Sequence, residues 1–358
     1  MKPVGVGLIG YGLASRVFHA PLIDAAQGLR LAAVVSSDPA KVAADYPEVP
    51  VVATPEALFD DAEVELVVIA TPNHLHAPLA RQALERGRHV VVDKPFTETL
   101  QQARDLAALA SRQGLLLSVF QNRRYDADFL SLRRILAEGA VGRPVALESR
   151  FDRFRPQPTQ RWRDRPGVGA GVWFDLGAHL VDQALVLFGP PQALYADIAA
   201  VRDGAQVDDD FHVVLSYPRL RVVLRASSLA AAETPRFSLL GEAGAYEKFG
   251  FDTQEAALRR RERPGGSGSW GADPHPGLLT RGEPRLETPV EQEPGDYPRY
   301  YAALHDALRG GGDNPVTPEE ACDVMAILEL ARESSAQGRR LSLAGTGRWL
   351  SRWPAAGA

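Results

Sequence analysis

Short apolar runs alternate with helical patterns through the first third of the chain. Residues 4–9, 31–35, 66–70, 89–92 and 115–119 are nearly continuous apolar stretches. Such runs suit strands buried on both faces of a parallel sheet. Between them, 76–86 and 100–113 space apolar residues as helices do, and Gly87 and Gly114 follow as C-terminal stops. Strand–helix alternation with short connections predicts a doubly wound α/β unit. The rhythm changes near residue 120. After a helix predicted over 129–138, segments 144–150, 193–201, 210–217, 220–227 and 236–241 alternate apolar and polar positions between turn residues. This predicts an antiparallel sheet. Residues 264–284 are rich in glycine and proline, lack periodicity and read as a long surface loop. Helices are predicted over 297–309 and 318–337, the second with Thr317 as N-cap and Pro318 in its first turn.

Composition narrows the classes. A chain of 358 residues has room for about two domains. Its 45% hydrophobic and 24% charged residues fit a globular protein with a sizeable core. A net charge of -5 argues against nucleic-acid and anionic-membrane partners, which need a positive field. The single cysteine, Cys322, excludes an internal disulfide framework and a multi-cysteine metal site; it reads as a small buried hydrophobe. The first residues run into a strand without a long apolar segment, so a cytoplasmic location is expected.

The first apolar run ends in Gly10-Tyr11-Gly12-Leu13-Ala14-Ser15. A strand, a glycine turn and a helix start, in that order, form a dinucleotide pyrophosphate site. Gly10 permits the tight turn and Gly12 the close approach of the backbone, while the helix start at Leu13 and Ala14 offers unpaired N–H groups to the anion. Ser15 stands where a third glycine is usual. An acidic residue at the end of the second strand normally binds the adenosine ribose, and here that place holds Ser36. Asp38, before Pro39, reads either as that acid or as a helix N-cap. A hydroxyl at Ser36 tolerates a 2′-phosphate that a carboxylate would repel, and Ser37, Arg16 and Lys41 offer further donors or charge. NADP is therefore expected over NAD. Thr71-Pro72-Asn73 leaves another strand at the ligand-collecting edge, with His74 and His76 beside it. A capping or surface role is expected for both histidines.

Asp93-Lys94-Pro95 directly follows the run 89–92. A lysine there either flanks a strand for solubility or points into a cleft, where partial burial and a nearby nicotinamide charge lower its pKa and suit it to proton transfer. Asp175, His179 and Asp182 are spaced i, i+4, i+7 and share a helix face. They read as a cap and a satisfied core histidine, or as a carboxylate tuning an imidazole that exchanges a proton with a hydroxyl. Too few ligands lie nearby for a metal, and none is expected. Arg123, Arg153, Trp162 and Trp173 are candidate grips for a polyhydroxylated or anionic ligand.

Together, Gly10-x-Gly12, Thr71-Pro72-Asn73, Asp93-Lys94-Pro95 and Asp175-x-x-x-His179 resemble the Gfo/Idh/MocA oxidoreductases over nearly the whole chain. Asp93-Lys94-Pro95-Phe96-Thr97, Gln121-Asn122-Arg123-Arg124-Tyr125 and Phe151-Asp152-Arg153-Phe154-Arg155-Pro156 resemble most the NADP-dependent scyllo-inositol dehydrogenase group. The resemblance implies a Rossmann domain over 1–120 and a substrate-binding and oligomerisation domain over 121–345 with a large open, mainly antiparallel sheet, followed by a tail over 346–358. It also implies a homodimer or homotetramer. Lys94, Asp175 and His179 would be the catalytic trio, with Asp93, Thr71, Pro72, Asn73 and His76 near the cofactor. Hydride would pass between NADP and a cyclic polyol or sugar. Two other functions compete: another sugar, diketone or dihydrodiol-type reductase of this family, and a non-catalytic dinucleotide-dependent sensor or regulator.

Overall fold

The computed structural model describes residues 2–158, 165–266, 268–343 and Trp353. Its chain divides into two compact units. Unit 1 comprises 1–125, 253–271 and 296–322; unit 2 comprises 126–252, 272–295 and 323–358.

Unit 1 opens with β1 (Val4–Ile9), a π-helical turn (Ser15–His19) continued by α1 (Ala20–Ala25), β2 (Leu29–Val35) and α2 (Pro39–Asp45). β3 (Val51–Val52), α3 (Pro55–Phe59), β4 (Leu66–Ile69) and α4 (His76–Glu85) follow, then β5 (His89–Val92), α5 (Leu100–Gln113) and β6 (Leu117–Val119). The six strands pair in parallel in the order β3-β2-β1-β4-β5-β6, the doubly wound arrangement expected. Every residue of β1 and β4 is buried, which is why those strands read as continuous apolar runs. Thr99 and Gln102 close a capping box on α5, and Gly114 ends it at φ 63°.

Unit 2 begins with α6 (Ala127–Ala137) and β7 (Pro144–Arg150); a second π-helical turn (Trp173–Gly177) then leads into α7 (Ala178–Phe188). Strands β8 (Ala193–Ala199), β9 (Asp210–Ser216), β10 (Arg221–Ser227), β11 (Phe237–Gly241) and β12 (Gly244–Lys248) follow. The chain then gives α8 (Gln254–Arg259) to unit 1, adds β13 (Gly277–Arg281) and β14 (Leu286–Val290) to unit 2, and gives α9 (Pro298–Leu308) to unit 1. It ends with α10 (Pro318–Gln337) and β15 (Leu341–Ser342). The nine-stranded sheet runs β14-β13-β12-β11-β7-β10-β9-β8-β15 and is antiparallel except where β7 lies parallel to β10. Along β9 and β10, buried Phe211, Val213, Leu215, Val222, Leu224 and Ala226 alternate with more exposed neighbours, so one face is dry.

The surface loop expected over 264–284 is corrected. It contains β13, whose Leu279 lies opposite Tyr246 of β12. Its glycines and prolines hide a short strand, and most of β14 is exposed, so an apolar signal was missing there. Lys248 and Asp273, both fully buried, pair at 2.9 Å and tie the approach to β13 onto β12. The tail call falls outside the described residues except for Trp353, whose indole donates to Asp323 at 2.7 Å. Cys322 is buried, as expected. Among the described residues, no helix is long and apolar enough to cross a membrane.

Two returning segments complete unit 1. Tyr297, Tyr300 and Tyr301 are fully buried, and the Tyr300 hydroxyl bonds Ser118 Oγ at 2.9 Å. The Gln254 side chain accepts from Tyr297 N–H at 2.7 Å and from the Trp270 indole at 3.1 Å. Arg123 donates to the Tyr297 hydroxyl at 2.6 Å and to Glu255 at 2.5 Å. Burial alone would raise the Glu255 pKa. The charge of Arg123, with hydrogen bonds from Arg259 and Arg123, instead lowers it from 4.5 to about 2. A depressed carboxylate contributes stability above its unfolded pKa and loses it as pH falls through the folded one. Between pH 4.5 and 2, wild-type unfolding free energy should therefore fall by about 2 kcal/mol more than that of Glu255→Gln. Urea titrations across that range check this; equal slopes would contradict it.

Candidate active site

At the exit of β1, Gly10 has φ 89°, a left-handed conformation that favours glycine, and a Cβ there would lie 2.7 Å from the Ala70 carbonyl oxygen. A Cβ on Gly12 would meet nothing within 4 Å, so its backbone is approachable, as a pyrophosphate cradle requires. Leu13 and Ala14 start the helix. Ser15, in the third glycine's place, is fully buried and donates to the Gly10 carbonyl at 2.7 Å. The substitution thus holds the turn closed.

Ser36 lies half-buried just past β2, with Ser37 and Lys41 exposed. Its hydroxyl accepts from Asp38 N–H at 3.1 Å. Asp38 caps α2 by accepting from Lys41 N–H at 3.1 Å, which favours the N-cap over the ribose acid. Arg16 is engaged by a carboxylate of its own unit. Asp45 takes both ends of its guanidinium, at 2.6 and 3.1 Å, and also accepts from Tyr11 and pairs with Arg261 at 3.0 Å. The Arg16 hydrogen bond outweighs burial and holds Asp45 below the usual carboxylate range.

The exits of β4 and β5 lie on the same sheet edge, because parallel strands all leave from one side. Thr71 is half-buried, Pro72 exposed and Asn73 buried. The expectation for His76 is corrected. Its ring is 1% exposed, with Nδ1 2.9 Å from the Pro95 carbonyl and Nε2 3.0 Å from the Thr71 carbonyl. It joins the two exits from inside. A neutral imidazole donates to one of these oxygens at a time. Burial holds the ring below the ordinary imidazole pKa against the opposing pull of Asp93 and the carbonyls. His74 is exposed. Lys94 is half-buried, and the Lys94–Pro95 bond is cis. Asp93 is buried and accepts from Lys94 N–H at 2.9 Å. Burial pushes its pKa up, but a hydrogen bond and charge from His19, with the charges of Lys94 and His76, bring it below the usual value.

In unit 2, Asp175 is half-buried, His179 is 4% exposed and Asp182 1% exposed. Asp175 belongs to the π-helical turn and His179 to α7. A π turn bonds i to i+5 and is frequent at functional sites, so the stripe read from the sequence crosses a change of pitch. Asp208 caps this helix from a distant loop: its carboxylate accepts from Trp173 N–H at 2.7 Å and its carbonyl from Val172 N–H at 2.9 Å. Burial raises the Asp208 pKa against the Trp173 hydrogen bond and the charge of Arg332. The sequence signal was the run Asp208-Asp209-Asp210; only folding reveals that Asp208 meets the start of residues 173–188.

Two candidate grips are buried. Trp173 is fully buried, donates its indole N–H to the Leu328 carbonyl at 2.9 Å and packs edge-on against Phe211. It is a core residue with no surface to offer a ligand. Arg123 is buried against Tyr297 and Glu255 and braces unit 1. Arg153 is half-buried over the Phe151 ring at 5.2 Å. Trp162 lies outside the described residues. His19, which the sequence did not single out, is fully buried in unit 1 with Nε2 3.8 Å from Asp93; as a lone histidine in an apolar helix it gave no signal.

Residues 4–121 match the profile of an oxidoreductase family's NAD-binding Rossmann fold, and residues 133–343 that of the same family's C-terminal alpha/beta domain. The chain is 52% identical over 343 residues to the oxidoreductase YdgJ of Escherichia coli strain K12, covering 95% of this chain and 99% of that one. It is 37% identical over 344 residues to the NADP-dependent scyllo-inositol 2-dehydrogenase IolW of Bacillus subtilis strain 168, covering 95% and 96%. The solved structure of the oxidoreductase YPO2259 from Yersinia pestis is 50% identical and superimposes with a TM-score of 0.93, covering 97% and 99% of the two chains.

The two glycines of the turn should separate in experiment. Gly10→Ala should cost about 1–3 kcal/mol of stability through backbone strain. Gly12→Ala should stay within about 0.5 kcal/mol of wild type yet bind a nicotinamide dinucleotide at least tenfold more weakly. Urea unfolding and fluorescence titration measure both; unchanged affinity in Gly12→Ala would contradict the cradle.

Proposed function

The chain belongs to the Gfo/Idh/MocA oxidoreductase family, and from that premise we propose that it moves a hydride between NADP(H) and a ring secondary alcohol or ketone of a cyclic polyol or sugar resembling scyllo-inositol. The observation that carries this is Lys94, half-buried beside the buried Asp93 where β5 leaves the edge that also carries the Gly10–Gly12 turn and Thr71. Similarity to an NADP-dependent scyllo-inositol 2-dehydrogenase supports the substrate class and the cofactor. The unblocked Gly12 backbone and the glycine turn fit a dinucleotide.

Bound nicotinamide supplies a carbon that accepts or gives hydride. The backbone from Gly10 to Ala14 would hold the pyrophosphate, Thr71 to Asn73 would flank the nicotinamide end, and Ser36 and Ser37 would face the adenosine 2′-phosphate, with Lys41 adding charge. Arg16 and Arg123 are left out because carboxylates in their own unit engage them. Lys94 would donate to the substrate oxygen and stabilise negative charge developing there. His179 would take the hydroxyl proton during oxidation and return it during reduction. Asp175 would hold the imidazole orientation and favour its protonated form.

Steady-state assays with scyllo-inositol and a panel of sugars, followed at the nicotinamide absorbance, test this. Lys94→Ala and His179→Ala should each lower kcat by about 10²–10⁴-fold while NADPH affinity stays within a few-fold of wild type. Wild type should prefer NADP to NAD, and Ser36→Asp should reverse that order. Near-wild-type turnover in Lys94→Ala, or NAD preference in the wild type, would overturn the corresponding part.

A further inference from the structure

Behind Lys94, unit 1 contains a polar chain that the proposed chemistry does not use. The Lys94 N–H donates to Asp93 Oδ1 at 2.9 Å. His19 Nε2 lies 3.8 Å from the same oxygen, and His19 Nδ1 lies 2.7 Å from the Tyr301 hydroxyl. His19 and Tyr301 are fully buried and Asp93 nearly so. The imidazole packs on Phe120 with ring centroids 4.4 Å apart and meets Tyr301 edge-on, so packing fixes its plane. These groups come from four elements: the turn before α1, the exit of β5, the exit of β6 and α9.

Hydrogen-bond logic sets the direction of the chain. Burial, with the negative charge of Asp93, raises the Tyr301 pKa well above its ordinary value, so its hydroxyl keeps a proton that it can donate to His19 Nδ1. An Nδ1 that accepts leaves the ring proton on Nε2, the nitrogen turned towards Asp93. The carboxylate thus has the His19 ring nitrogen 3.8 Å away and the Lys94 backbone N–H bonded to the same oxygen, with the charge of Lys94 among those that lower its pKa. Lys94, His19 and His76 are the positively charged or chargeable groups acting on Asp93. Tyr300 adjoins Tyr301 edge-on, and its own hydroxyl is committed to Ser118.

We propose that Tyr301, His19 and Asp93 are positioning residues which keep a fixed carboxylate charge beside Lys94, so that the lysine meets its substrate as a charged hydrogen-bond donor. This rests on the reading of Lys94 as a substrate-facing group. It explains why a carboxylate is buried at the strand exit, since an isolated buried charge would be costly and here each neighbour offsets part of that cost. It also assigns Lys94 mainly electrostatic work, leaving proton exchange to His179.

The test uses the full chain and needs no turnover. Amine acylation by an N-hydroxysuccinimide ester, read lysine by lysine by peptide mass spectrometry from pH 7 to 10, reports the uncharged fraction of each lysine. Lys41, exposed on α2, is the internal control. Asp93→Asn should speed labelling of Lys94 about fivefold at pH 8 by removing the counter-charge, and Tyr301→Phe about twofold by freeing His19 to change tautomer. Labelling of Lys41 should not change. Asp93→Glu should restore the wild-type profile for Lys94. If Asp93→Asn melts early and labels everywhere, Tyr301→Phe decides. Unchanged Lys94 profiles in the folded variants would overturn the proposal. Loss of turnover in Lys94→Ala together with unchanged labelling in the folded variants would sink this relay and leave the proposed function standing. Near-wild-type turnover in Lys94→Ala would sink the reading of Lys94 on which this proposal rests, whatever the labelling shows.

Discussion

Burial of a parallel sheet on both faces is the constraint from which the rest follows. With β1 and β4 sealed, side chains there are committed to packing, and chemistry can occur only where the strands end. Parallel direction places all those ends on one edge. The glycine turn after β1, Ser36 after β2, Thr71 after β4 and Lys94 after β5 therefore share an edge without any contact among their own side chains being required. Buried polar groups then make the edge rigid. Ser15 closes the turn from below, and His76 joins the exits of β4 and β5 through their carbonyls.

Unit 2 solves a similar problem with a helix. Its candidate groups, Asp175 and His179, ride on residues 173–188, nearly all of which are buried. Such a helix needs its first N–H groups satisfied from elsewhere, and Asp208 does so. Each unit thus has a π-helical turn at the start of its candidate-site helix, Ser15–His19 in one and Trp173–Gly177 in the other. A local change of pitch at such a place re-aims side chains without breaking the helix.

Much of this was legible in the sequence because its signals are local. The continuous runs marked β1, β4 and β5, and a cap with Pro318 and a glycine stop bounded α10 and α5 at their observed ends. The family resemblance placed Lys94, Asp175 and His179 among the candidates through short ordered motifs. Long-range facts were not legible. Trp173 looked like a ligand contact because the sequence does not show that Leu328 takes its N–H. Arg123 and Arg16 looked like available charges because Glu255 and Asp45, distant in sequence, neutralise them. His76 looked superficial because its two partners lie in separate loops. β13 and β14 escaped because β13 is five residues long and opens on a glycine, while β14, at the sheet edge, bears proline and charge and carries little apolar alternation.

The central claim is that one edge of the parallel sheet receives the dinucleotide along four strand exits. Hydrogen–deuterium exchange by mass spectrometry, with and without saturating NADP, tests it most directly. Peptides spanning residues 10–16, 36–41, 71–76 and 93–97 should slow together, while β7 to β12 in unit 2 stay unchanged. Protection confined to unit 2, or absent from the 10–16 peptide at saturation, would contradict it.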